Sequence, residues 1–163
     1  MLLKLLVEGL ILGVLLIVYC LIGIRNGAVG MVFLYDGSVR ERCVELGLTT
    51  HETIKKRAVL FKTCGVLFYI AYIVFCAYAI NGVSGFADGY RQMFVILLVC
   101  ILIDRIVIDE WWVCRTNAWV IPGTEDLMPY ISGRDKCIKW ISGIIATGLV
   151  PAVIAAVMEL IVK

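Results

Sequence analysis

"MFVILLVCILIDRIVIDEWW", Met93 to Trp112, runs directly into "VCRTNAWVIPGTEDLMPY", Val113 to Tyr130. The reading of the first string decides the fold. It opens as an unbroken apolar run, Met93 to Ile103, and the whole string has the length a bilayer span needs, about 20 residues. Its second half carries Asp104, Arg105, Asp109 and Glu110. At the surface of a soluble domain these charges would be ordinary. In a bilayer they sit at depth and must find partners.

Composition selects the bilayer. The chain has 163 residues, 62% of them hydrophobic and only 17% charged, with mean hydropathy +0.98. Soluble domains are about half apolar and about a quarter charged. Folded in water, this chain would expose more apolar surface than a soluble monomer tolerates. Its net charge of +2 leaves no electrostatic footprint for nucleic acid.

Three more runs are long and apolar: "LLVEGLILGVLLIVYCLIGI" (Leu5 to Ile24), "AVLFKTCGVLFYIAYIVFCAYAI" (Ala58 to Ile80) and "WISGIIATGLVPAVIAAVMELIV" (Trp140 to Val162). The expected fold is therefore all-α. One domain over 1-163 forms an integral membrane bundle of four transmembrane helices, near 5-24, 58-80, 93-112 and 140-162, with short cytoplasmic helices. The first run is read as a true helix. It has only Lys4 as a basic lead and no A-x-A exit, so it does not read as a cleaved signal.

Basic residues orient the bundle. Ten of the fifteen lysines and arginines fall in the first and third connectors, whereas "NGVSGFADGYR" holds only Arg91. Loops 25-57 and 113-139 are expected in the cytoplasm and both termini outside, in a multi-pass cell-membrane protein. The seven cysteines show no CxxC and no Cys/His cluster, and His51 is the single histidine. They read as free thiols, with no metal and no cofactor expected.

The first connector carries its own punctuation. Ser38 is placed to cap a short helix over Val39 to Leu46, and Gly47 to end it. Thr49 with Glu52 fits a capping box, so the second membrane helix is expected to begin near Thr50. The Lys55-Lys56-Arg57 cluster then lies at the headgroups, where it anchors the helix or meets lipid phosphate.

The third connector is too apolar for a free loop. Trp111, Trp112, Trp119 and Trp140 bracket it, as tryptophans do at a membrane interface. Pro122-Gly123 suits a tight turn, and Thr124 a cap for one helical turn begun by Glu125 and Asp126. Pro129 limits that turn. The expectation is a folded cytoplasmic cap containing Arg115, Asn117, Pro122, Gly123, Thr124, Glu125, Asp126 and Tyr130, which is either structural or grips a ligand.

"LGLTT" (Leu46 to Thr50) and "PGTE" (Pro122 to Glu125), the latter continuing to Tyr130, resemble segments in a group of small, uncharacterised bacterial four-helix membrane proteins. The resemblance implies a bacterial origin and a shared architecture. It implies no activity.

Depth supplies the candidate site. At about 1.5 Å per residue, Lys62 lies about 6 Å inside its span, and Asp104 and Arg105 about 10 Å inside theirs. Pro151 has no N–H, so the Thr147 carbonyl loses its helical partner in the same slab. An intramembrane carboxylate costs about 2.5–3.5 kcal/mol on insertion scales and faces the bundle interior as a rule. Lys62, Asp104, Arg105 and Thr147 are thus the candidate intramembrane polar site, as an ion pair or as a transport or ligand site. Glu8 and Glu159 read as interfacial groups, paired with Lys4 and Lys163. Gly9 and Gly13 form a GxxxG suited to close helix packing.

Three functions fit. The first is an oligomeric channel or transporter built around the Asp104 slab. The second is an accessory or scaffold subunit of a larger membrane complex. The third is a membrane enzyme acting on lipid or thiol substrates, which the absence of a nucleophile motif disfavours. The expected partners are membrane lipid and either further copies or a membrane subunit.

Overall fold

A run dominated by Leu, Ile and Val and free of proline forms α1 (Leu2–Ile24). In the computed structural model, which describes residues 1–162, α2 (Gly37–Glu45) follows after a 3-10 segment, Ala28–Leu34. Next comes α3 (His51–Val74), whose last turns widen to π winding over Phe75–Ile80. α4 (Phe86–Leu102) continues in the same way over Ile103–Val113. Short 3-10 turns at Asn117–Trp119 and Glu125–Leu127 lead to α5 (Gly133–Val162), which contains Pro151. No strand occurs among the described residues.

Three of these helices are long and apolar enough to cross a membrane: Leu2–Ile24, His51–Ile80 and Gly133–Ile161. The run expected near 93-112 is not among them. Its apolar part, α4, stops at Leu102, and the π segment beyond it is rich in charge.

The packing departs from an even four-helix arrangement. α4 lies between α1 and α5 and packs along both. Gly9 and Gly13 let α1 approach closely. A Cβ added at Gly9 would come within 2.6 Å of Val99 Cβ, and one at Gly13 would collide with Ile103. Leu12, Ile73, Met93, Ile96 and Ala155 fill the middle without exposure. By contrast α3 stands off and meets its neighbours mainly towards its ends. Tyr19 stacks on Phe61 at 4.4 Å between centroids, and the Tyr72 hydroxyl donates to the Glu8 carbonyl at 2.9 Å. The cause is compositional. The apolar residues of α3 are spread around the helix without forming one stripe, and Val59, Leu60, Val66, Leu67 and Phe68 are all exposed. A helix without a single apolar stripe has no unique face to bury.

Local signals resolve with two corrections. α2 is capped by Asp36, not Ser38, and the Asp36 carboxylate accepts from the Ser132 N–H instead of from its own helix. α3 is capped by Thr50, not Thr49. The Thr50 hydroxyl accepts from the Thr53 N–H at 3.2 Å, so the cap sits one residue later. Gly47 does end α2. It adopts φ +68°, its N–H donates to Val44, and the Leu48 N–H reaches back to Cys43 at 3.0 Å. That is a Schellman closure, which needs a left-handed residue.

Candidate functional site

The charges of the π segment meet α5. Asp109 is buried and accepts from Arg105 one turn earlier and from Lys139 Nζ at 3.1 Å. The other side of Arg105 reaches Asp104 at 3.1 Å. Two acids and two bases thus form one neutral network, with Lys139 as the rung to α5. A turn further on, Glu110 accepts from Lys136 at 2.6 Å and from Arg115 at 3.0 Å. Paired in this way, the charges tie the segment Ile103–Val113 to α5.

Lys62, Asp104, Arg105 and Thr147 line one groove, bounded by α3, α4 and α5, of about 490 Å³. They are not equivalent. Asp104 and Arg105 are ion-paired, whereas Lys62 is exposed and belongs to no ion pair among the described residues. The Thr147 hydroxyl donates to the Gly143 carbonyl within its own helix.

The third connector folds into a cap with its own core. Ile121, Pro122, Gly123 and Thr124 form a turn closed by Thr124 N–H to Ile121 carbonyl at 3.1 Å, with Gly123 at φ +85°. That is the positive φ a type II turn demands. The buried Thr124 hydroxyl bonds both the Ile121 carbonyl and the Tyr130 hydroxyl at 2.8 Å. Glu125 accepts from the Gly123 N–H at 2.9 Å. Tyr130 is fully buried and stacks on Tyr35 at 4.8 Å. Asp126 reaches outwards to Arg42 of α2 at 3.8 Å. Arg115 pairs with Glu110 and Asn117 is exposed, so neither joins the cap's core.

The cap also corrects the reading of Trp119 as an interface residue. Trp119 is fully buried, edge-on to Trp112 and Tyr35. Trp111 alone of the adjacent pair is largely exposed. Burial, reinforced by the neighbouring Tyr130, holds the Tyr35 hydroxyl far above its usual range. Burial also pushes the Cys43 and Cys114 thiols up. All seven cysteines are free.

A second polar layer lies at the opposite end of α4. Glu8, expected at the interface, is buried. Its partner is not Lys4, whose amine faces the Ile80 carbonyl at 3.5 Å. Asn81 Nδ2 donates instead to Glu8 Oε2 at 3.1 Å and to Gln92 Oε1 at 2.8 Å. Three elements that sequence spacing does not connect thus share one hydrogen-bond chain. Glu159 stands at this end as well, near Tyr78. Lys163, its expected partner, lies outside the described residues.

Between α1 and the detached α3 runs a groove in two parts. The part nearest the cap is about 500 Å³ and brings Asn26, Gly27 and Gly30 together with Arg57. The part deeper along the helices is about 360 Å³ and is lined by Leu15, Val18, Cys64, Phe68 and Tyr69. Tyr19 and Ile22 line both, so the two are adjacent. Arg57 makes no ion pair among the described residues, while its neighbour Lys56 pairs with Glu52 at 2.8 Å. Among the described residues no group of His, Cys, Asp and Glu is placed to hold a metal ion.

Comparison with protein-family models, with curated proteins and with solved structures gives no match.

Proposed function

We propose that this chain is a four-pass membrane protein that binds an anionic amphiphile, of the phospholipid class, between α1 and α3. The observation that carries the reading is the adjacency of a polar pocket at Arg57 and an apolar groove, which share Tyr19 and Ile22 in their walls. From Arg57 to Tyr69 the helix rises about 18 Å. That is about the depth of one leaflet's hydrocarbon, half of roughly 30 Å. A phosphate at Arg57 would be held by charge and by the fork of the guanidinium. An acyl chain along Ile22 and Phe68 would cover surface that α1 and α3 leave open.

The fourth pass is the helix through Phe86–Leu102 and Ile103–Val113, 17 and 11 residues long. Its internal charges are paired, which lowers the cost of insertion. The basic end, with α2 and the cap, faces the cytoplasm by the positive-inside rule. A pore within one protomer draws no support from the filled centre at Leu12, Ile73 and Ile96. The transport reading therefore narrows to an amphiphile moving along the lateral groove, with α3 as the element free to shift.

Native mass spectrometry of the protein released from mixed phosphatidylglycerol–phosphatidylcholine nanodiscs tests this. Phosphatidylglycerol should be retained preferentially, and Arg57→Gln should remove the preference. Ile22→Trp, which fills the apolar part, should reduce retention of both lipids. Equal retention of the two lipids by the unaltered protein would overturn the reading.

A further inference from the structure

Glu8 is only 5% exposed, and no cation reaches it among the described residues. Both protons of the Asn81 amide are committed, one to Glu8 Oε2 and one to Gln92 Oε1. That fixes which way the amide points. It leaves Glu8 Oε1 and Asn81 Oδ1 buried and without a hydrogen-bond donor. The Tyr78 hydroxyl, one turn earlier on the same helix, is likewise buried and without a partner. A negative charge and orphaned oxygens therefore gather in one layer where α1, the end of α3 and α4 meet.

We propose that Glu8 and Asn81 bind a small monovalent cation of the sodium class. Two buried acceptors call for a positive ligand. A cation accepts lone pairs from any direction, whereas a water molecule brings no charge to balance the carboxylate. One carboxylate matches one positive charge. Calcium takes about six to eight oxygens, commonly from several acidic groups, whereas Glu8 is the one buried carboxylate of this layer among the described residues, with Glu159 half-buried near Tyr78. The bound cation would draw α1, α3 and α4 together at the end opposite the cap. α3 otherwise makes few contacts, so its position would depend on occupancy. This inference does not rest on the lipid reading, and either can fail alone.

The test is thermal unfolding of the full chain in detergent, in sodium chloride against choline chloride at equal ionic strength. It is paired with titration calorimetry using sodium alone. Sodium should raise the melting temperature saturably and give a binding isotherm. Glu8→Gln keeps the shape and supplies an amide donor, and it should lose both effects. Should Glu8→Gln fail to fold, Asn81→Leu is scored in the same way. Absence of saturable sodium binding to the unaltered protein would overturn the proposal. So would a sodium response that survives in Glu8→Gln, or a stability that follows pH and ignores sodium.

Discussion

The Tyr35 hydroxyl donates to the Trp119 carbonyl at 2.8 Å, joining two connectors 84 positions apart. The ring beside it stacks on Tyr130, whose own backbone carbonyl accepts from the Asp36 N–H at 3.0 Å. The first connector thus forms one wall of the cap built by the second. Tyr35→Phe keeps the ring and strands a buried carbonyl, at about 1–3 kcal/mol. Tyr35→Ala removes the wall and should cost about 3–5 kcal/mol, as large aromatic truncations do. Hydrogen exchange read over residues 119–131 should rise modestly in the first variant and strongly in the second. Equal, small effects in both would mean that the cap does not depend on this wall.

Alkali should loosen the cap before the membrane helices. Burial raises the Tyr35 hydroxyl and the Cys43 thiol, so the folded cap favours their protonated forms. The unfolded cap ionises first. Stability is therefore constant below the ordinary thiol value, about 8.5, and falls as pH rises above it and then above the ordinary tyrosine value, about 10. Cys43 alkylation should be slow at neutral pH and accelerate with pH, faster than thiolate formation alone explains once the cap opens. Alkylation of Cys43 at the rate of an exposed thiol at pH 7 would contradict its burial.

Gly9 sets the distance between α1 and α4. Any side chain there meets Val99 and the Ile96 carbonyl. Overpacking of this kind costs about 1–3 kcal/mol. Gly9→Val should lower the melting temperature well beyond Gly148→Val, since an added Cβ at Gly148 meets open space. Equal losses would show that helix propensity, not packing, is being measured.

The spans at Leu2–Ile24, His51–Ile80 and Gly133–Ile161 were legible because hydrophobic length needs no partner information. The Arg105–Asp109 pair needs no partner information either, because the two lie one helical turn apart. Lys139 was not legible, since nothing in spacing brings α5 to Asp109. Glu8 misled for the same reason. Lys4 stood at the right helical interval, yet the chain returning through Asn81 offered two N–H donors in the core. Trp119 and Tyr35 share this logic, because an interfacial tryptophan and a buried one have the same sequence neighbourhood. The groove of α3 was hidden because a helix without one apolar stripe does not declare which neighbours it lacks.

Topology follows from the same charges. A reporter fused after Ile80 should appear outside, and one fused after Trp119 inside, if the basic end faces the cytoplasm. Agreement would also establish the pass through Phe86–Val113, because only an odd number of crossings separates those two points. Both reporters on one side would remove that pass.

Asp109, rather than Asp104, should be the costly residue of the charged layer. The Asp109 side chain is less exposed and serves both Arg105 and Lys139, whereas Asp104 pairs with Arg105 alone among the described residues. Asp109→Leu strands Lys139 and leaves Arg105 with Asp104 alone, and breaking a buried pair in this way costs about 3–5 kcal/mol. Asp104→Leu leaves Arg105 with Asp109 and should cost clearly less. Lys139→Leu leaves Asp109 with Arg105 and should also be mild. In the double variant Asp109→Leu with Lys139→Leu, Arg105 keeps Asp104 and no lysine is stranded, so much of the loss should return. The coupling should fall within about 0.5–3 kcal/mol, the range for residues in contact. Thermal unfolding of the four proteins in one detergent supplies the cycle. A larger loss from Asp104→Leu than from Asp109→Leu would reverse the assignment and make Asp104 the centre of the layer.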